Sequence, residues 1–273
     1  MSPSDRLVAI ADPDDPRIAV FRAVRERDVA GRQGGFIAEG EVVVRALAGS
    51  RLHRARSILV SAGRVARLAP LLARFDDDVA LYAVPQPVMD LVVGFPIHRG
   101  LLAYGERRVE TSAEGLLAAA KGSGDIVCLF GVSNHDNVGG VFRNATAFGA
   151  LGVLLDGGCC DPLYRKAIRV SVGAALTVPF ARIAGQDDVI VLLEAYGFTP
   201  LALSPGGATR LNVLKVPQRA AVLLGSEGRG LPATLLERAR SVAIPMAMGF
   251  DSLNIATASG IVLHHLATAR EGA

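Results

Sequence analysis

The chain has 273 residues, 51% of them hydrophobic, with a formal net charge of +3; this fits one large or two ordinary well-packed domains and excludes a disordered or polycationic chain. No apolar run approaches the roughly 18–20 uncharged residues that would span a bilayer, and the polar, acidic stretch from Met1 to Asp15 is not a secretory signal. Cys128, Cys159 and Cys160 show no CxxC spacing, so they read as small buried residues of a protein in a reducing cytoplasm.

Taken in chain order, the first half reads as a small α/β unit. Phe36–Gly40 is a short strand running into a helix over Val42–Leu47, and Ser57–Val60, Val79–Val84 and Gly100–Tyr104 are further strands. Arg45, Arg51, Arg54, Arg56, Arg64 and Arg67 could line a basic surface, with a solvated helix face as the bland alternative for each. A linker near Arg107–Glu114 divides residues 1–108 from 109–273.

The second half alternates apolar runs with helical segments, the signature of a parallel sheet with crossover helices. Strands are expected over Asp125–Gly131, Gly152–Asp156, Val178–Ile183, Thr199–Ser204, Ala220–Gly225 and Ser241–Pro245. Helices are expected over Val138–Phe148, Pro162–Leu176, Asp187–Tyr196, Pro232–Arg240 and Leu253–Arg270. Strands this uniformly apolar need helices on both faces.

Three loops carry chemistry. The first, Asn134-His-Asp-Asn-Val-Gly-Gly-Val-Phe-Arg143, leaves a strand and opens a helix, where free N–H groups suit a phosphate. Asn137 could cap that helix and Arg143 point back to the same place. The second, Leu224-Gly-Ser-Glu-Gly-Arg-Gly-Leu231, has glycines spaced GxxGxG, not the GxGxxG of a dinucleotide fold, and no GxxxxGK[ST] occurs in the chain. It could form a backbone cradle for a ligand, or simply a glycine-rich turn with an exposed Glu227. The third, Ile244-Pro-Met-Ala-Met-Gly-Phe-Asp-Ser-Leu-Asn254, stops a strand at Pro245 and offers Ile244, Met246 and Leu253 as apolar walls, with Ser252 as a cap for the next helix. The five histidines show no metal-ligand spacing, and no metal is expected. His264 and His265 fall late in a helix, where a cationic ring complements the dipole.

In this order and spacing the three loops resemble the motif set of the SpoU (TrmH-like) family of RNA ribose 2'-O-methyltransferases. The resemblance is specific over residues 125–270. A looser one, carried by Phe36–Arg45 and His98–Ala103, links the first half to the family's L30e-like substrate-binding domain, in which the six arginines from Arg45 to Arg67 could line a surface for an RNA hairpin. The resemblance implies an α/β fold: a parallel-sheet SPOUT catalytic domain tied in a trefoil knot, with a smaller L30e-like α/β domain before it. It implies a homodimer that uses S-adenosyl-L-methionine, with structured RNA as substrate, ribosomal RNA ranked before transfer RNA. By motif position Gly225, Ser226, Ile244, Met246 and Leu253 would contact the cofactor, while Asn137, Arg143, Glu227, Ser252 and Asn254 would form the catalytic and substrate-orienting set. His135 stands where the first motif often has proline, and Met248 and Phe250 sit in the third motif's loop. A non-catalytic RNA-binding module is the alternative from another class, against which the intact polar set counts.

Overall fold

The apolar runs become the strands of two separate sheets in the computed structural model, which describes residues 3–22, 34–108, 110–183, 189–247 and 252–271. The chain divides into two compact units: Met1–Val109 together with Leu163–Thr177, and Glu110–Pro162 together with Val178–Ala273.

The first unit holds a five-stranded sheet of β1 (Leu7–Ala9), β2 (Gly35–Glu39), β3 (His53–Ser61), β4 (Ala80–Val84) and β5 (Leu101–Arg107), in the order β1-β4-β3-β5-β2. The pairs β1–β4 and β3–β4 are parallel; β5 runs antiparallel to both β3 and β2. Helices α1 (Glu41–Ala48), α2 (Val65–Leu72) and α3 (Gln86–Val93) each bury one apolar stripe, Val43, Val44 and Leu47 in α1 for example. Sequence reading missed β1, α2 and α3. Pro70 inside α2 removes one backbone donor, which masks the helical pattern. One core gathers Ile18, Phe21, Ile37, Leu59, Met89 and Leu102.

A correction concerns the stretch expected as one helix over Pro162–Leu176. It is a short helix, α6 (Arg165–Val170), followed by a 3-10 turn at Ala174–Leu176, and it belongs to the first unit. Three polar contacts hold it there. Arg165 Nη1 donates to the buried Glu39 Oε2 at 2.6 Å, and Ser50 Oγ donates to the Leu176 carbonyl at 2.6 Å. His53 Nδ1, on a buried ring, lies 3.2 Å from the same carbonyl. A carboxylate as buried as Glu39 needs such a partner, because desolvation of an unpaired charge costs several kcal/mol.

The second unit carries a seven-stranded sheet, parallel throughout, in the order β10-β12-β9-β11-β6-β7-β8. Its strands are β6 (Gly124–Phe130), β7 (Gly152–Leu155), β8 (Phe180–Arg182), β9 (Thr199–Leu203), β10 (Thr209–Arg210), β11 (Arg219–Gly225) and β12 (Arg240–Ala243). Around them lie α4 (Ala113–Ala119), α5 (His135–Ala147), α7 (Val189–Ala195), α8 (Ala233–Arg238) and α9 (Ile255–Glu271). The two-residue β10 has no apolar pattern to read, and α4, which begins where the linker expected near Arg107–Glu114 ends, was missed. Ser112 Oγ caps α4 by accepting from Gly115 N at 3.0 Å.

Two features of this unit position the loops. First, β6 and β11 are neighbours with Phe130 opposite Gly225, so their carboxyl ends release the first and second motifs side by side. The chain leaves β6 toward β7 on one side, while β9 and β12 lie on the other side of β11. Open α/β sheets form ligand crevices at such a reversal. Second, α9 packs on α5: a Cβ built on Gly140 would stand 2.5 Å from the Ala256 Cβ, so only glycine lets the helices approach this closely. Asn144 locks the contact, its Nδ2 donating to the Ala256 carbonyl at 2.6 Å and to Ser259 Oγ at 2.9 Å. At the far end of α9, Arg270 makes a two-pronged bond to the buried Asp125 at the start of β6, at 2.8 and 2.6 Å.

Candidate active site

The loop from β6 to α5 is held from below. Asp156, buried at the end of β7, accepts from Gly131 N at 2.9 Å and from Gly158 N at 3.0 Å through one oxygen. Cys159 Sγ accepts from Val132 N and donates to the Leu129 carbonyl, both at 3.3 Å. Burial pushes the Cys159 thiol up to about 12 and Cys160 up to about 11, which keeps both protonated. The α5 cap is Asn134, not the expected Asn137: Asn134 Oδ1 accepts from Asp136 N at 2.8 Å. Asn137 is left inside the helix, buried, with its amide turned to other partners.

The second motif forms a closed turn. Gly230 N donates to the Ser226 carbonyl at 2.9 Å, and Gly228 and Gly230 take positive φ of 89° and 68°. Gly225 is required for a different reason. A Cβ there would lie 2.1 Å from the Gly230 carbonyl carbon, because the turn folds back on the strand end. The glycines therefore serve the turn itself.

The third motif reaches α9 through Asn254, and here too the cap differs from expectation. Asn254, not Ser252, caps the helix, its Oδ1 accepting from Ala256 N at 2.9 Å and Thr257 N at 3.3 Å. The other end of the same amide joins the other two motifs. Asn254 Nδ2 donates to Asn137 Oδ1 at 2.8 Å and to Glu227 Oε1 at 3.0 Å, and Asn137 Nδ2 donates to that same Glu227 oxygen at 3.0 Å. One residue from each motif thus closes a three-membered hydrogen-bond ring. Two amide donors converge on one carboxylate oxygen, which fixes the Glu227 side chain against the start of α9.

The ring stands at the edge of a cavity of about 810 Å³. Leu203, Val242, Ile244, Met246 and Leu253 supply apolar wall, and the whole Gly225–Leu231 turn lines one side. Size and lining suit a small ligand with an apolar ring and a polar end. Of the expected cofactor set, Gly225, Ser226, Ile244, Met246 and Leu253 all line this cavity, as do Glu227, Ser252 and Asn254. Asn137 touches it through its two partners.

Arg143 is not drawn in. It is exposed, lines no part of the cavity and has no hydrogen-bond or ion-pair partner among the described residues. The face of α5 turned to α9 carries Gly140 and Asn144, and Arg143 sits about 100° round the helix from Asn144. Met248 and Phe250 lie outside the described residues. Sequence reasoning missed Asp156 and Asn144, which fix the first motif from below and behind. An Asp followed by two glycines at a strand end was the available signal for Asp156. It also missed Leu203, Ser204 and Pro205, which reach the cavity only because β9 lies beside β12.

In the first unit, four of the six arginines weighed as an RNA surface are paired with acids. Arg45 and Arg67 share Glu41 at 2.8 and 3.3 Å, and Arg54 and Arg56 share Glu106 at 3.6 and 2.7 Å. Arg64 donates to the His98 carbonyl at 2.8 Å. Among the described residues no group of three or more His, Cys, Asp or Glu could hold a metal, and no helix is long and apolar enough to cross a membrane.

Fold and site together put the chain among α/β proteins that take a small ligand where parallel strands end. It belongs to the SpoU rRNA Methylase family, whose model matches residues 125–264. A Mycobacterium bovis protein known as an uncharacterized tRNA/rRNA methyltransferase is 38% identical over 273 residues, spanning 93% of this chain and 90% of the relative. A Mycobacterium tuberculosis protein of the same description matches to the same extent. Among solved structures, the AdoMet-bound rRNA methyltransferase of Sinorhizobium meliloti superposes with a TM-score of 0.79 at 25% identity, over 97% of this chain and 98% of that one. An RNA 2'-O ribose methyltransferase does so with a TM-score of 0.76 at 26% identity, over 97% and 100%.

Proposed function

We propose that the chain is an S-adenosyl-L-methionine-dependent RNA methyltransferase that transfers a methyl group to a ribose 2'-hydroxyl, with ribosomal RNA the preferred substrate and transfer RNA the second reading. One observation carries this: the Asn137–Glu227–Asn254 ring, drawn from three motifs far apart in sequence, stands beside a ligand-sized cavity. Bound there, the cofactor would supply a methyl group on a cationic sulfur, open to in-line attack by a hydroxyl oxygen. Gly225, Ser226, Ile244, Met246 and Leu253 would hold it, the apolar side chains against the adenine.

The chain's own residues would orient the acceptor. Ser252 and Asn254 hold the ribose, and Glu227 holds the Asn254 and Asn137 amides in place. Arg143 binds the neighbouring phosphate and stabilises charge that develops on the oxygen, since a guanidinium stays protonated and is no base. An exposed Arg143 with no partner among the described residues fits a homodimer in which it serves the ring of a second copy. The trefoil knot, and an RNA-binding role for the L30e-like first unit, belong to the same reading.

The test is methyl transfer from labelled cofactor to total RNA of a deletion strain, followed by nucleoside mass spectrometry. Label in a 2'-O-methyl nucleoside of ribosomal RNA supports the proposal, and label on a base overturns the ribose assignment. Mixing R143A with N254A protein tests the dimer: restored turnover requires one intact composite site.

A further inference from the structure

The cavity contains a charge that the hydrogen-bond ring does not use. Its described lining includes two ionisable residues, Glu227 and Arg229. Glu227 is engaged by two amides. Arg229 is exposed and has no hydrogen-bond or ion-pair partner among the described residues. Its backbone is nonetheless fixed. Gly228 and Gly230 on either side take positive φ, and the Gly230 N to Ser226 carbonyl bond closes the turn around it. A hydrogen-bonded turn therefore places one guanidinium in the lining of a cavity that the apolar Leu203, Val242, Ile244 and Leu253 also line.

A ligand that satisfies both sides has an apolar ring system at one end and a carboxylate at the other. We infer that Arg229 binds the α-carboxylate of the cofactor's amino-acid end, and so selects ligands that carry that end. The inference rests on the cofactor reading above. Guanidinium and carboxylate match as a planar fork, and a charge-assisted pair outweighs a neutral hydrogen bond. The adenosine end gains nothing from Arg229, so its binding is independent of the guanidinium.

Calorimetric titration of the full chain with two probes tests this. S-adenosylhomocysteine carries the amino-acid end; 5'-methylthioadenosine shares the adenosine and the thioether and lacks it. R229Q should weaken the first about tenfold or more and leave the second within about twofold, with R229K in between. Equal weakening of both probes would mean that the substitution disturbs the turn, and would overturn the inference. So would unchanged binding of both with a fall in RNA affinity, because the guanidinium would then serve an RNA phosphate. If wild-type protein binds neither probe, the cofactor reading itself fails. That outcome is distinct from a wild type that binds both while R229Q changes neither.

Discussion

Asn254 has two separable roles, and substitutions can divide them. Its oxygen caps α9, and its nitrogen supplies two of the three bonds in the ring. N254A removes both. Loss of an asparagine cap costs about 1 kcal/mol, or ~2–4 °C in the melting temperature of a body of this size. N254S keeps a cap oxygen and loses both donors, so its stability should stay within about 0.5 kcal/mol of wild type. N254D also keeps the cap, and the helix N-terminus favours its charge by ~0.3–1 kcal/mol. It then faces the Glu227 carboxylate across the distance now bridged by a 3.0 Å hydrogen bond. Like charges about 4 Å apart repel by about 1 kcal/mol in water and about 4 kcal/mol at a typical surface dielectric, so N254D should be less stable than N254S. Activity follows the ring. Two lost bonds, one of them to a charged acceptor, predict about a 10- to 100-fold fall in kcat/KM for both N254A and N254S. Thermal melts and methyl transfer measured on the same preparations decide it. Wild-type turnover in N254S would remove the ring from the machinery, and an N254S as unstable as N254A would show that the cap does not hold the start of α9.

G140A should destabilise by ~1–3 kcal/mol in urea titration despite alanine's higher helix propensity, because its methyl meets Ala256; adding A256G should restore most of the loss. R270A strands the buried Asp125 carboxylate and should cost toward the lower end of ~3–5 kcal/mol, since the Arg270 side chain is itself 20% exposed. The buried thiols of Cys128 and Cys159 should resist alkylation at pH 8 until the protein unfolds, whereas Cys160, expected to be buried but only half-buried, should react sooner. The folded values of Cys159 and Cys160 are raised above the ordinary 9.0, so the stability they contribute is present below about pH 9 and lost as pH climbs toward 12, readable as a falling urea midpoint.

The parallel sheet was legible because its strands are short apolar runs bounded by glycine and proline, and β6, β7, β9, β11 and β12 lie within a residue or two of their expected limits. The three motifs were legible because each follows a strand, and strand register then brings two of them together. The caps were not. Asn134 and Asn137, like Ser252 and Asn254, are neighbouring residues of cap-forming type, and loop geometry decides which begins the helix. Nor was the destination of Leu163–Thr177 legible: an amphipathic segment has the same pattern whichever body covers its apolar face. Its decisive partners, Glu39, Ser50 and His53, lie more than a hundred residues away.

The stretch from Leu163 to Thr177 changes how the protein can be dissected. A cut at residue 109 would leave the amino-terminal fragment with its Glu39 carboxylate and His53 ring laid open, and would leave the remainder carrying an unclothed apolar strip. Neither fragment would report on RNA affinity alone, since each would also register a broken fold. A point substitution at Arg51, or a fragment that has Leu163–Thr177 grafted back, separates recognition of RNA from integrity of the protein.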